Sequence, residues 1–209
     1  MWIHWLLLSL AVHGTAVLTA GNFSQGELDD WQEKRFNGAT RYRLTETDHG
    51  RVLCANSNNS ASARYRRLPV DLDQTPYLHW SWRVDRLPDG GDETSRAGDD
   101  HAARVFVVKW GGLLFWRTRA LVYVWSGNRA PGSQWPSPYS PRLRVIVVRS
   151  GSRESGRWLA ESRDVAADFR HAFGEQITQI DGVALMTDSD NRGGRASACY
   201  GDIYFSGSG

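Results

Sequence analysis

Two adjacent carboxylates, Asp99 and Asp100, lead within three residues into Ala103-Arg104-Val105-Phe106-Val107-Val108. A turn of this composition opening onto a β-branched run predicts a central strand with two acids at its mouth. Side chains alternate along a strand, so Ala103, Val105 and Val107 share one face, while Ala102, Arg104, Phe106 and Val108 share the other. One face is plain core. The other carries a guanidinium and an aromatic ring, and a chain that repeats this split buries one side of a sheet and leaves the other as either a binding surface or an ordinary solvated face with snorkelling arginines.

The split does repeat. In Tyr77-Leu78-His79-Trp80-Ser81-Trp82-Arg83-Val84, the residues Leu78, Trp80, Trp82 and Val84 form an apolar face whose paired tryptophans read as core. Further strands are predicted at 51–55, at 64–72 (a sheet edge limited by Pro69), at 120–125, at 143–149 with 157–161 as its hairpin partner, at 180–187 and at 197–205. Trp31 and Phe36 are expected as anchors of the opening strands. Residues 126–141 read as a long loop in which prolines present Trp135 and Tyr139 at the surface. One helix stands out near 164–173: Asp164 suits its N-cap, Val165, Phe169 and Phe173 recur every four residues, and Gly174 ends it. Many short strands with one short helix predict an all-β, antiparallel two-sheet β-sandwich of jelly-roll type.

At 209 residues and 41% hydrophobic content the chain has enough material for one sizeable core. Its net charge of +2 comes from arginines spread along the sequence. Even the densest group, Arg64, Arg66 and Arg67, reads as a solvated strand edge, so nucleic acid is not an expected partner. The apolar run Trp5 to Val12 is too short to span a bilayer, and the small residues Gly14, Ala16 and Ala20 follow it. Residues 1–20 are therefore expected to be a secretory signal cut after Ala16 or Ala20, with 21–209 a single sandwich domain and no stable membrane anchor. A buried N-terminal element is the alternative. Cys54 and Cys199 permit one disulfide in an oxidising compartment, or two buried thiols, and lack metal-ligand spacing.

The non-core faces collect His79, Arg83, Arg104, Phe106, Tyr123, Trp125, Arg144, Tyr200 and Asp202. Aromatic rings mixed with Asp, Arg and His suit sugars, whose C–H faces stack on rings while their hydroxyls take paired donors and acceptors. Asp99, Asp100, Asp188, Asp190 and Asn191 lie at strand ends. Should these loops meet, their oxygens are of the kind calcium takes, although 188–191 lacks the spacing of a full calcium loop, and Asp and Asn also serve turns. No cofactor is otherwise expected. Paired Asp residues also suit glycoside hydrolysis, though nothing selects the pair, and no Gly-x-Ser-x-Gly, His-Glu-x-x-His, phosphate-loop or dinucleotide motif occurs.

Gly98-Asp99-Asp100-x-Ala102-Ala103-Arg104-Val105, Tyr123-Val124-Trp125, Trp135-Pro136-x-Pro138-Tyr139, Met186-Thr187-Asp188-x-Asp190-Asn191 and Tyr200-Gly201-Asp202-Ile203 together resemble the bacterial secreted family called domain of unknown function 3047. The resemblance implies an exported jelly-roll sandwich similar to galactose-binding and carbohydrate-binding modules, and no established activity. His101 departs from the aromatic residue that pattern often carries, which argues against a histidine catalyst. The expected function is binding of a carbohydrate or other polar ligand in the periplasm or outside the cell. The expected ligand-binding residues are Asp99, Asp100, Arg104, Tyr123, Trp125, Trp135, Tyr139, Asp188, Asp190, Asn191 and Asp202, with Arg104 as a forked donor and the rings as stacking surfaces. A polysaccharide hydrolase or lyase using Asp residues, or an envelope interaction protein, are the alternatives.

Overall fold

The computed structural model describes residues 16–113 and 117–209. Most of the expected signal segment lies outside them. Among the described residues, thirteen strands form two sheets. The first has six strands: β1 (Val17–Gly21), β3 (Arg41–Thr47), β4 (Gly50–Asn58), β6 (Tyr77–Arg86), β11 (Leu159–Asp164) and β13 (Arg195–Ser206). They run in the order β11-β6-β13-β4-β3, with β1 also paired to β13. The second sheet has seven strands: β2 (Gln32–Asn37), β5 (Ala61–Asp71), β7 (Ala103–Lys109), β8 (Arg119–Ser126), β9 (Gln134–Ser137), β10 (Ser140–Ser150) and β12 (Gln179–Asp188), in the order β2-β5-β12-β7-β8-β10-β9. The chain is an all-β sandwich with one α-helix among the described residues, α1 (Val165–Phe173). No helix among those residues is long and apolar enough to cross a membrane.

The sheets are joined by an aromatic stack from β6 against β8. Trp80 lies 5.4 Å from Tyr123 in a stacked arrangement, and Trp82 meets Trp125 edge-on at 6.0 Å. Trp80 and Trp82 also meet each other edge-on at 5.3 Å. These four rings are buried at the centre of the inter-sheet core with Leu53, Leu78, Val105, Val107, Leu121, Leu185 and Phe205. Each ring removes a large apolar area from water, and the edge-on pairs add about 0.5–1.5 kcal/mol apiece beyond area burial. The helix closes one end of this core. Asp164 Oδ1 accepts from Ala167 N at 2.9 Å as its cap, Val165 and Phe169 point inward, and Gly174 ends it with φ 68°.

Several expectations about the strands are corrected. Residues 126–141 are not all loop, because Gln134–Ser137 forms β9 and pairs antiparallel with β10. β10 also runs parallel to β8, Val145 opposite Val122, so the sandwich is not wholly antiparallel. The stretch after Gly156 does not pair with β10. It crosses to the other sheet and becomes β11 alongside β6, Glu161 opposite Trp80. β5 is an edge only beyond Tyr65, because β2 covers Ala61 to Tyr65. Trp31 is buried against Phe23, whereas Phe36, the other expected anchor, is 63% exposed.

Cys54 and Cys199 form a disulfide between directly opposed positions of β4 and β13. It ties the first third of the chain to its last strand across 145 residues. β1 pairs with the far end of β13, Val17 opposite Ser206, and buries Ala20.

Candidate functional site

β7 and β12 are neighbours, and their register sets Met186 opposite Arg104 and Ala184 opposite Phe106 on the outer face of the seven-stranded sheet. Phe106 lies opposite Val122, and Val122 opposite Val145, which gives an apolar row across three strands. The row belongs to a second hydrophobic cluster, separate from the main core, with Val124, Val147, Leu143 and Trp135. Above it opens a cavity of about 370 Å³. Its apolar floor is built by Phe106, Val122, Val145 and Met186, and its polar end by Asp99, Arg104, Asp188, Asp190 and Asn191.

Phe36 and Tyr139 both line this cavity, 63% and 52% exposed. Phe36 stands on β2 at one margin of the sheet, and Tyr139 lies in the turn between β9 and β10 at the other. Seven strands laid flat would separate those margins by roughly 29 Å. Both rings border one cavity because the sheet curls and the β9–β10 tip reaches back across it. Arg96 Nε donates to Pro138 O at 3.1 Å, the Arg96 guanidinium lies over the Tyr139 ring at 5.3 Å, and Asn191 Nδ2 meets the Tyr139 hydroxyl.

Arg104 forms the spine of the polar end. Only 5% exposed, it donates from Nε to Asp188 Oδ1 at 2.8 Å and from Nη2 to Asp188 Oδ2. Its Nη1 reaches Asp99 Oδ1 at 3.2 Å, and Nη2 also donates to the Asp99 carbonyl. The guanidinium fork is therefore consumed inside the protein. Arg104 holds the walls of the cavity, and its expected role as a forked donor to ligand is not available in this arrangement. The Arg104 backbone N–H donates to the Tyr200 hydroxyl, which in turn donates to Met186 O at 2.8 Å.

Two buried carboxylates share this one guanidinium. Burial pushes Asp188 up to about 6 against the pull of Arg104, with the neighbouring Asp99 charge acting in the same direction as burial. Burial also works to raise Asp99, but there the Arg104 charge and the His101 side chain prevail and hold the carboxyl below its ordinary value. His101 is buried with Nε2 3.5 Å from Asp99 Oδ1, and neither ring nitrogen has a hydrogen-bond partner.

The expected meeting of the acidic loops occurs. Asp100, Asp188 and Asp190 bring carboxylate oxygens within 4.8 Å of one another. Protein donors already serve them: Asn191 N and Arg192 N donate to Asp100 at 3.0 and 2.9 Å, Arg104 to Asp188, and Asn37 Nδ2 to Asp190 at 3.3 Å. A cation held by these three carboxylates would sit beside the Arg104 guanidinium.

Asp99, Asp100, Arg104, Tyr139, Asp188, Asp190 and Asn191 are thus brought together. Four other expected site residues are placed elsewhere. Tyr123 and Trp125 face the inter-sheet core, fully buried, with the Tyr123 hydroxyl donating to Asp168 Oδ2 at 2.7 Å and Trp125 Nε1 to Gly151 O at 3.0 Å. β8 is apolar on both faces, so alternation alone could not say which face looks inward, and it is the face with the bulkier rings that packs on Trp80 and Trp82 of β6. Trp135 is buried opposite Val145 under the hairpin rather than presented at the surface. Asp202 lies on the other sheet, where it accepts from Ser24 N and Oγ at 2.9 and 2.6 Å. A register shift in β13 between Tyr200 and Ile203 resets the alternation, so Tyr200 turns inward while Asp202 faces out. Sequence reasoning missed Phe36 and Met186 as cavity residues. Phe36 does precede the Asn37-Gly38 turn, a place where an aromatic ring at a strand end can stay exposed.

No curated protein matches the sequence. Among solved structures, the chain is similar to the family 30 carbohydrate-binding module of the cellulosomal cellulase Cel9D-Cel44B of Clostridium thermocellum. The identity is 9%, the TM-score 0.53, and the match covers 91% of this chain and 96% of that one. The family 11 carbohydrate-binding module of cellulase Lic26A-Cel5E of the same organism aligns at 10% identity and TM-score 0.48 over 92% of this chain and 96% of that chain. The Endo-D glycoside hydrolase domain of Streptococcus pneumoniae R6 aligns at 9% identity and TM-score 0.43, with 85% of this chain covering only 22% of that chain. At these identities the likeness to the family 30 module establishes the sandwich fold alone. The model of the family described as "Protein of unknown function (DUF3047)" matches residues 29–204, and the chain belongs to that family.

Proposed function

We propose that this protein is an exported glycan-binding β-sandwich whose ligand occupies the cavity on the outer face of the seven-stranded sheet. The observation that carries the reading is the convergence of Phe36 and Tyr139, from opposite margins of one sheet, on a cavity of about 370 Å³ with an apolar floor and an acid- and amide-rich end. That volume lies within the range of small-ligand sites. Exposed rings offer stacking faces for the C–H side of a sugar, and Asp190, Asn191 and Ser137 offer acceptors and donors for its hydroxyls. The sandwich fold shared with the family 30 carbohydrate-binding module supports the same reading. Export is supported by the Cys54–Cys199 disulfide, since such bonds persist in oxidising compartments. Cleavage after Ala16 leaves β1 whole, whereas cleavage after Ala20 removes all of β1 but Gly21.

Thermal unfolding of the mature protein against a panel of glycans, with calcium and EDTA arms, tests this reading. A glycan at about a hundred times its Kd stabilises by about 2.7 kcal/mol. Phe36→Ala and Tyr139→Ala, both at exposed positions, should abolish that shift without lowering the unligated Tm. Equal shifts in the variants and the parent would sink the site, and no shift with any glycan would sink the function. A hydrolase acting on polysaccharide is the second reading, supported by three carboxylates within 4.8 Å and by Asp188 being pushed to about 6. Turnover on a stabilising glycan, lost in Asp190→Asn, would favour it over binding alone.

A further inference from the structure

The opposite face of the sandwich holds a second cavity, of about 310 Å³, on the six-stranded sheet. Its floor is set by the bulge in β13: Tyr200 pairs with Trp82 and Ile203 with Trp80, so Gly201 and Asp202 together oppose the single residue Ser81. A bulge of this kind re-aims a side chain, and here it turns Asp202 outward. A Cβ at Gly201 would collide with Ser81 Oγ, so the glycine leaves that hydroxyl in its place on the floor.

Two aromatic walls flank this floor, and each is backed by a second ring. Tyr204, 39% exposed, stacks on His79 at 4.7 Å with the planes 11° apart. His49, from the turn between β3 and β4, stacks on Trp158 at 4.4 Å and 15°, with Arg83 also over the Trp158 ring at 5.3 Å. Rings held from behind lose little rotamer freedom when a ligand arrives, which removes part of the cost of binding.

Polar capacity is left over between the walls. Ser81 Oγ has only a 3.5 Å approach to His49 Nε2 among the described residues. Each Asp202 oxygen accepts one hydrogen bond from Ser24 and retains acceptor capacity for a hydroxyl. The one guanidinium and the second carboxylate lining the cavity are already matched: Arg51 pairs with Glu46 at 2.6 Å, and Glu161 with Arg149 at 2.7 Å and Trp82 Nε1 at 2.9 Å. Among the described residues lining the cavity, no unpaired guanidinium or ammonium waits for an acidic ligand. Stacking faces, a spare hydroxyl and an acceptor carboxylate fit a ring with apolar C–H faces and donor hydroxyls at its rim.

We infer that this face is a second sugar site, taking one neutral hexose ring between Tyr204 and His49, with its hydroxyls on Ser81 and Asp202. It stands on different residues from the cavity of the seven-stranded sheet. With both occupied, one molecule holds two glycan chains on opposite faces.

Amide NMR of the oxidised mature protein, titrated separately with cellotetraose, xylotetraose, maltotetraose and β-1,4-galactotriose, tests the inference. The expected result is saturable shifts at Ser81, Gly201 and Tyr204 with at least one of the four. Tyr204→Ala, at an exposed position, should weaken that set by about tenfold, the value of one ring contact, and leave shifts near Asn191 unchanged. Shifts confined to the Asn191 face overturn the second site and leave the first. Shifts on neither face overturn both. Unchanged affinity at Ser81 in the Tyr204→Ala protein overturns the stacking geometry and with it the proposed site.

Discussion

Arg104 lays one edge of its guanidinium along the carboxylate of Asp188, Nε against Oδ1 at 2.8 Å and Nη2 against Oδ2, with both side chains withdrawn from solvent. The same guanidinium reaches Asp99, which begins the loop leading into β7, while Asp188 ends β12. One cation therefore pins two chain segments at the polar end of the outer-face cavity, and its removal strands two almost fully buried carboxylates without their partner.

Arg104→Ala is expected to cost about 3–5 kcal/mol, the usual penalty for deleting one partner of a buried ion pair. Chemical denaturation reads it directly. Arg104→Lys should recover little, because an ammonium cannot bridge both Asp188 oxygens and still reach Asp99. A loss below about 1 kcal/mol in Arg104→Ala, the range of an exposed pair, would show that the network is solvated.

Asp188 gives a pH dependence with a definite sign. Its folded-state carboxyl is pushed up to about 6 by burial, above the roughly 3.9 of an unfolded Asp. Between those values the folded protein keeps a proton that the unfolded chain releases. The stability this group contributes is fully present below about pH 4 and is lost as pH rises through about 6. Asp99, held below its ordinary value, works oppositely: its contribution is present above about pH 4 and lost as pH falls through its depressed folded value. A carboxyl-carbon NMR titration should show one Asp midpoint near 6. If every Asp titrates below about 4.5, the burial argument fails.

Reducing the Cys54–Cys199 bond should lower stability by about 2–5 kcal/mol, as is typical for a native disulfide of a secreted domain. Cys54→Ala/Cys199→Ala tests this without reductant. An unchanged denaturation midpoint would mean the β4–β13 pairing alone carries the contact.

Tyr123 and Trp125 are expected to affect folding and leave ligand binding untouched. Tyr123→Phe removes one hydrogen bond to Asp168 and should cost about 1 kcal/mol, while Trp125→Ala opens the inter-sheet core and should cost about 3–5 kcal/mol. A folded Tyr123→Phe protein with lost glycan binding would contradict the placement of that ring in the core.

Export as proposed above predicts that the chain, expressed from Met1 in a bacterial host, is recovered beginning at Val17, because β1 starts there and pairs with β13. N-terminal sequencing decides it. A start at Gly21 would mean that β1 is dispensable, and a start at Met1 would mean that there is no cleavage.

The chain itself determined the β-sandwich class, the capped helix at Val165–Phe173, the core role of Trp80 and Trp82, and the candidacy of Asp99, Asp100, Arg104, Asp188, Asp190 and Asn191. Period-two alternation, cap residues and turn composition are local, so they can be read from neighbours in sequence. Three matters belonged to the tertiary structure. β8 is apolar on both faces, and only its packing against β6 decided that Tyr123 and Trp125 look inward. The bulge after Tyr200 reversed the alternation of β13 and turned Tyr200 into the core, and the placing of β13 in the six-stranded sheet put Asp202 on the far face, neither of which composition records. The crossing of residues 157–164 to β6, and the curl that brings Phe36 to Tyr139, depend on contacts between segments about a hundred residues apart, where the choice of partner is set by which surfaces are left to bury rather than by local pattern.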